Sequence, residues 1–317
     1  MHRILVTGAS GFVGRRLLLR LLESGMTVRA TSRRIPSDPV EGIEEWFRAD
    51  LADEGMHLRD LCRDCYAVIH LAGQAHNPDA DAGSCDIANR RVTQRLAQAA
   101  SAAGVQRFVY LSTIKVYGEG QERAYTESDP PAPMDDYARS KWAAEQVLQE
   151  ACAISAMDCT IIRPPLIYGP GVKANFLALL RLVNTGLPLP LASIRNKRSL
   201  IYVDNLCDLL VRVIDVPASA GRIYPVADTT YSTPELIRSM ARALRTGTMV
   251  FPCPVILLRT LGSVLGRRTA VDRLTAPLVV DDSAVRRDLD WKPPVPAATA
   301  MQQTADWFLS AGMRAKE

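Results

Sequence analysis

The stretch TGASGFVG, Thr7 to Gly14, constrains this chain more than any other. It sets Gly8, Gly11 and Gly14 in the spacing G-x-x-G-x-x-G, after the apolar run RILVTG and before GRRLLLRLLESG. The first flank reads as a short buried strand. The second carries leucines at helical spacing and meets a stop at Gly25. A strand, a glycine turn and a helix in that order form the setting of a dinucleotide-binding turn. The glycines permit a tight turn and a close approach of backbone to pyrophosphate, while the helix N-terminus offers free N–H groups and a positive dipole end. Gly8, Gly11, Phe12, Val13 and Gly14 are therefore expected to contact a dinucleotide.

Strand and helix signals then alternate. TVRATS, AVIHLAG, RFVYLS and CTIIRP read as strands, and NRRVTQRLAQAASAAG and DDYARSKWAAEQVLQEAC read as helices. That alternation predicts an α/β fold with a Rossmann-type, doubly wound parallel sheet. Past Arg163 the rhythm becomes irregular, and prolines recur in GLPLPLA, FPCP and KPPVPAA. The expected division is a dinucleotide-binding domain over 1–165 and a smaller C-terminal lobe over 166–317. The run RSLIYVDNLCDLLVRVID, near 198–215, is expected to return to the first domain as a strand-like segment and a helix.

Composition narrows the class. With 317 residues, 48% hydrophobic, the chain can fill a full core. The net charge of +4 is small and Arg and Lys alternate with acids, so no nucleic-acid face is expected. Seven cysteines at irregular spacing do not form a disulfide framework. Cys62 and Cys65 make one C-x-x-C without a second pair; they read as helix-face thiols kept reduced in a cytoplasmic protein, and no metal site is expected. The N-terminal apolar run is too short for a signal peptide. No apolar run reaches the roughly 18 to 20 residues of a membrane span. Phe251 to Arg268 comes nearest, and reads as a packed helix or as one lying on a membrane surface.

Two further patterns bear on chemistry. No acid stands between Glu23 and Asp38, where NAD readers carry a carboxylate for the ribose 2′-OH. Ser32, Arg33 and Arg34 occupy the end of the second strand instead. Arginine there suits a 2′-phosphate, so NADP(H) is the expected cofactor, with NAD(H) as the alternative. In YARSK, Tyr137 and Lys141 are four apart, hence on one helical face. An ammonium near a phenol is expected to lower its pKa from about 10 and make it a proton carrier.

Together TGASGFVG, ADL, HLAG, YLSTIKVYG, YARSK, RPPLIYGPG and RSLIYVDNL, in that order, resemble the extended short-chain dehydrogenase/reductases, the superfamily of sugar-nucleotide epimerases, dehydratases and ketoreductases. The resemblance covers nearly the whole chain. It implies that Asp50 and Leu51 lie near the adenine, unless Asp50 merely closes a strand-end turn. It places Leu71, Ala72 and Gly73 along the cofactor, Asn89 on the next helix, and Pro164 near the nicotinamide. Thr113 would be the catalytic hydroxyl beside Tyr137, and Lys141 would also bind the nicotinamide ribose. Ser112 would assist or cap the strand end. Lys115, Asn175, Arg198 and, more weakly, Arg273 would face a nucleotide-sugar substrate. Phe176 lies in the same segment as Asn175. His70 ends an apolar strand and reads as packing; His76 reads as a substrate border or a solvated loop residue. The family habit is a dimer through two helices per subunit.

The residues after Thr113 restrict the reaction. The family's 4,6-dehydratases carry an Asp-Glu pair there to eliminate water; here the pair is Ile114 and Lys115. Hydride transfer at one carbon remains. STIKVYGE and RLTAPLVVDDSAVRRDLDW resemble reductases of bacterial O-antigen (lipopolysaccharide) pathways that form UDP-N-acetylquinovosamine or UDP-N-acetylfucosamine from a 4-keto-6-deoxy precursor. A 4-epimerase of a UDP-hexose or UDP-N-acetylhexosamine, or of a lipid-linked sugar, uses the same residues. A non-catalytic NADP(H) sensor would be expected to have lost Tyr137 or Lys141.

Overall fold

The computed structural model describes residues 2–73, 82–121, 123–264 and 268–314. In chain order the first half runs β1 (Arg3–Thr7), α1 (Phe12–Glu23), β2 (Thr27–Ser32), β3 (Glu45–Arg48), α2 (Leu58–Cys62), β4 (Ala67–His70), α3 (Ala82–Asp86), α4 (Val92–Ala102), β5 (Arg107–Leu111), α5 (Asp136–Ala153) and β6 (Asp158–Arg163). A π-helical turn, Ile87–Arg91, leads into α4. The second half runs β7 (Leu166–Tyr168), α6 (Ala174–Asn184), β8 (Arg198–Tyr202), α7 (Val203–Asp215), β9 (Ile223–Pro225), β10 (Thr229–Tyr231), α8 (Thr233–Leu244), α9 (Val255–Val264), α10 (Arg268–Thr275), α11 (Ser283–Leu289) and α12 (Ala297–Arg314).

Seven strands form a parallel sheet in the order β3-β2-β1-β4-β5-β6-β9, the Rossmann-type arrangement expected. Ile4, Leu5, Val6, Val68, Ile69, Phe108 and Val109 are fully buried. Strands covered by helices on both faces need such unbroken apolar runs rather than alternation. The chain winds outward through β2 and β3, then returns to β4 beside β1. That reversal opens a crevice at the carboxyl ends of β1 and β4, where ligands of open α/β sheets bind.

Two strands of this sheet escaped the sequence reading, as did β7 and β10 outside it. β3, EWFR, is a half-exposed edge strand with no buried apolar run. β9 is three residues long and ends in Pro225, which an edge position tolerates. Within 198–215, β8 joins a second, three-stranded sheet, parallel to β7 and antiparallel to β10. α7 instead lies against α1, where Arg16 Nε donates to Asp204 Oδ1 at 2.6 Å and Arg20 pairs with Asp208. Tyr168 stacks on Phe176 at 5.2 Å, so Phe176 is core rather than a ligand contact. One apolar cluster runs from Ile4 and Leu17 through Tyr168 and Phe176 to Ile237 and Trp291.

Candidate active site

The glycine turn sits at the crevice. Gly8 has φ +69°, and a Cβ there would come within 2.7 Å of the Ala72 nitrogen. A Cβ on Gly14 would lie 2.3 Å from the Gly8 carbonyl oxygen. Gly11 caps α1 without a side chain, and no acid lies in the first turn. The N–H groups that open α1 are thus left to an anion, with Phe12 and Val13 half-buried beside them. Ala72 N–H donates to Thr7 Oγ1 at 3.2 Å, which fixes the opposite wall. Leu71 and Ala72 are half-buried there and Gly73 is exposed. A Cβ on Gly73 would lie 2.6 Å from Asn89 Oδ1 and 3.9 Å from Lys141 Nζ. This cradle of missing side chains fits a dinucleotide.

At the end of β2, Arg33 and Arg34 are exposed, and among the described residues neither guanidinium has a hydrogen-bond or ion-pair partner. Ser32 is buried; its hydroxyl donates to the Arg34 carbonyl at 2.7 Å and accepts from Trp46 Nε1 at 3.1 Å. It shapes the turn rather than standing open. Asp50 is exposed and accepts from the Ala52 N–H at 3.1 Å, a strand-end turn. Leu51 is buried, and its carbonyl accepts from Arg95 at 3.1 Å.

Thr113 and Tyr137 meet across the carboxyl edge of β5, their side chains hydrogen-bonded. Thr113 caps a 3-10 turn, Ile114–Tyr117, and accepts the Lys115 N–H at 3.3 Å. Tyr137 lies in the first turn of α5, and Lys141 is one turn on. Lys141 Nζ donates to the Leu111 carbonyl at 2.6 Å and stands 4.1 Å over the Tyr110 ring. Burial pulls its pKa down to about 7, against the raising effect of Glu145. The expected lowering of the tyrosine is not seen. Burial, with Asp135 adding to it, pushes Tyr137 up to about 12; only the Thr113 bond pulls down. Burial thus outweighs the one bond that favours the phenolate.

Glu145 and Arg163 were missed from sequence. Arg163 Nε donates to Glu145 Oε1 at 3.0 Å, Nη2 donates to Oε2, and both side chains are almost fully buried. Ser112 Oγ also donates to Glu145, so this hydroxyl supports the site from behind. The network joins β5, α5 and β6 beneath Thr113, Lys141 and Pro164. One signal was present: Glu145 follows Lys141 by one helical turn, as Lys141 follows Tyr137. Asn89, buried on the π-helical turn, donates to Ser140 Oγ at 2.9 Å, and Ser140 Oγ donates to the Tyr137 carbonyl at 2.8 Å.

On the other side, Lys115 Nζ donates to Asp135 Oδ2 at 2.8 Å and lies 3.3 Å from Glu119. Asp135 also caps α5, accepting the Ala138 N–H at 2.7 Å. These residues line a cavity of about 150 Å³ with Met134 and Gly118. Pro164 is buried, and its carbonyl accepts the Ile114 N–H at 2.9 Å. Asn175 is exposed at the start of α6. Arg198 is half-buried and donates to the Ala276 carbonyl at 2.8 Å. The side chain of Arg273, and His76, lie outside the described residues. His70 is packing, as read: buried, and held by Thr7 and Thr93 at 2.6 and 3.2 Å. Burial pulls it down to about 3. Cys62 and Cys65 are buried free thiols, and burial pushes Cys62 up to about 12.

Residues 4–227 match the model of the NAD dependent epimerase/dehydratase family. This chain belongs to that family. Relatives of this chain include the UDP-glucose 4-epimerase of Vibrio cholerae, 39% identical over 98% of this chain and 97% of the relative. An Escherichia coli O157:H7 protein named N-acetyl-alpha-D-glucosaminyl-diphospho-ditrans,octacis-undecaprenol 4-epimerase is 26% identical, over 84% of this chain and 82% of its own length. Among solved structures, MoeE5 in complex with UDP-glucuronic acid and NAD superposes with a TM-score of 0.79 at 22% identity, over 98% and 99% of the two chains. That likeness carries the fold.

Proposed function

We propose that this family member is an NADPH-dependent reductase of the C4 ketone of a nucleotide-linked 4-keto-6-deoxy-N-acetylhexosamine. The product would be UDP-N-acetylquinovosamine or UDP-N-acetylfucosamine for lipopolysaccharide assembly. The observation that carries the reading is the Thr113–Tyr137 hydrogen bond beside the glycine cradle, with Lys141 one turn on. When bound, the reduced nicotinamide supplies a hydride to the carbonyl carbon. Gly8, Gly11 and the opening of α1 hold the pyrophosphate, while Arg33 and Arg34 bind the 2′-phosphate. Lys141 and Asn89 would hold the nicotinamide ribose. Thr113 Oγ1 orients the ketone oxygen, and the Tyr137 hydroxyl gives it a proton; solvent then reprotonates the phenol. Ile114 and Lys115 supply no carboxylic group for elimination. Arg198 would anchor the diphosphate, and Lys115 and Asn175 would meet the sugar.

The relative of 39% identity favours a second reading, a UDP-hexose or UDP-N-acetylhexosamine 4-epimerase. An epimerase returns the hydride that it removed, whereas a reductase consumes cofactor. The test supplies a UDP-4-keto-6-deoxy-N-acetylhexosamine and follows nicotinamide absorbance beside product NMR. We expect one NAD(P)H oxidised per 4-hydroxy sugar formed. Interconversion of UDP-GlcNAc and UDP-GalNAc without added cofactor, and no oxidation with the keto sugar, would decide for the epimerase.

A further inference from the structure

The second lobe carries an apolar surface that hydride transfer leaves unexplained. Leu189 N–H donates to the Met249 carbonyl at 2.8 Å, and Phe251 N–H donates to the Leu189 carbonyl at 3.0 Å. Ala192 N–H then donates to the Phe251 carbonyl at 3.0 Å, and Cys253 N–H to Ser193 Oγ at 3.1 Å. This ladder leaves Leu187, Met249 and Phe251 facing outward. Pro252 and Pro254 lead into α9, whose first turn exposes Ile256 and Leu257, while Leu258 is buried and anchors the helix. Met249 is 71% exposed and Ile256 77%. Single exposed apolar residues are ordinary; several on adjoining backbone form a patch that wants a partner.

The charge around the patch is mostly basic. No Asp or Glu occurs from Cys159 through Val203, or from Leu236 through Val271. In those spans Arg195, Lys197, Arg238, Arg242, Arg245 and Arg259 are exposed. Arg195 and Lys197 follow Ser193, which is tied to Cys253. Arg238, Arg242 and Arg245 lie along one outward face of α8 and its C-cap, shortly before Met249. Among the described residues two acids reach this set: Asp272 stands 3.7 Å from Arg259, and Glu235 feels Arg238 and Lys197. Basic charge therefore stays in excess.

We propose that this face docks on an anionic phospholipid surface. Leu187, Met249, Phe251, Ile256 and Leu257 enter the headgroup boundary, and the surrounding cations meet lipid phosphates. A nucleic acid offers phosphates but no apolar phase for protruding leucine and isoleucine; a bilayer surface offers both. No helix among the described residues is long and apolar enough to cross a membrane, so the contact is peripheral. The inference does not rest on the reductase reading.

Flotation of the full chain with vesicles tests it. The chain should float with phosphatidylglycerol–phosphatidylethanolamine vesicles and not with phosphatidylcholine vesicles, and salt at about 0.5 M should weaken the binding. Ile256→Ser with Leu257→Ser should cut partitioning about tenfold or more. Arg195→Gln with Lys197→Gln should cut it about fivefold per charge. These substitutions replace exposed side chains, and unchanged NADPH binding would show the fold intact. Equal binding to neutral vesicles, or full binding by both variants, would overturn the proposal. So would retention on heparin without flotation, which would assign the face to a soluble polyanion.

Discussion

A phenol raised to about 12 holds its proton at neutral pH, and ketone reduction needs a group able to give one. The Thr113 bond aims the Tyr137 hydroxyl at the carboxyl edge of the sheet, and removing it leaves the ring and the fold in place. Tyr137→Phe should therefore lower turnover by about 10² to 10⁴ while NADP(H) still binds; near-normal turnover would remove Tyr137 from the mechanism. Arg33 and Arg34 make a separate case, because no side chain among the described residues competes for them. The double variant Arg33→Ala, Arg34→Ala should weaken NADPH far more than NADH in fluorescence titrations, since only NADPH bears the 2′-phosphate. Equal loss for both would mean that the two arginines are merely solvated.

At the scale of elements, the start of α5 couples structure to proton affinity. Asp135 caps the helix, holds Lys115, and adds to the upward shift of Tyr137. Asp135→Asn keeps a good cap and removes the charge. The phenol should then titrate lower, so the alkaline limb of the pH–kcat profile should move to lower pH; an unmoved limb would deny the coupling. Much of this geometry was legible. Tyr137 and Lys141 share a helical face by spacing alone, and Gly8 and Gly14 announce contacts that no Cβ could enter. Glu145 and Arg163 were only half legible: the one-turn spacing puts Glu145 on the face of Lys141, but nothing in the β6 segment marks Arg163 as its buried ion-pair partner. β3 and β9 were lost for a related reason: edge strands carry little apolar pattern. The direction of the Tyr137 shift failed because burial is a property of the assembled site.

Over the whole molecule, one apolar cluster spans both sheets. It includes Ile4 and Leu17 beside the main sheet, and Phe176, Ile237 and Trp291 beyond it. α7 lies on α1 and contributes Leu206, Leu209 and Leu210 to the same cluster. Separate domains often melt separately, but a shared core ties their unfolding together. Calorimetry of the ligand-free chain should show one cooperative endotherm. Two resolved transitions would mean that the chain folds as two independent bodies in spite of that shared core.

The place of β9 at the edge of the main sheet carries a consequence for synthesis. A ribosome delivers β1 to β6 first, then more than fifty residues of other structure before Ile223–Pro225 can pair with β6. Until then β6 is an open edge, and α1 lacks the cover of α7. A nascent chain halted between those points would display unpaired N–H and C=O groups beside bare leucines, the kind of surface that recruits chaperones or other unfinished chains. Slow elongation through residues 166–222 would lengthen that exposure.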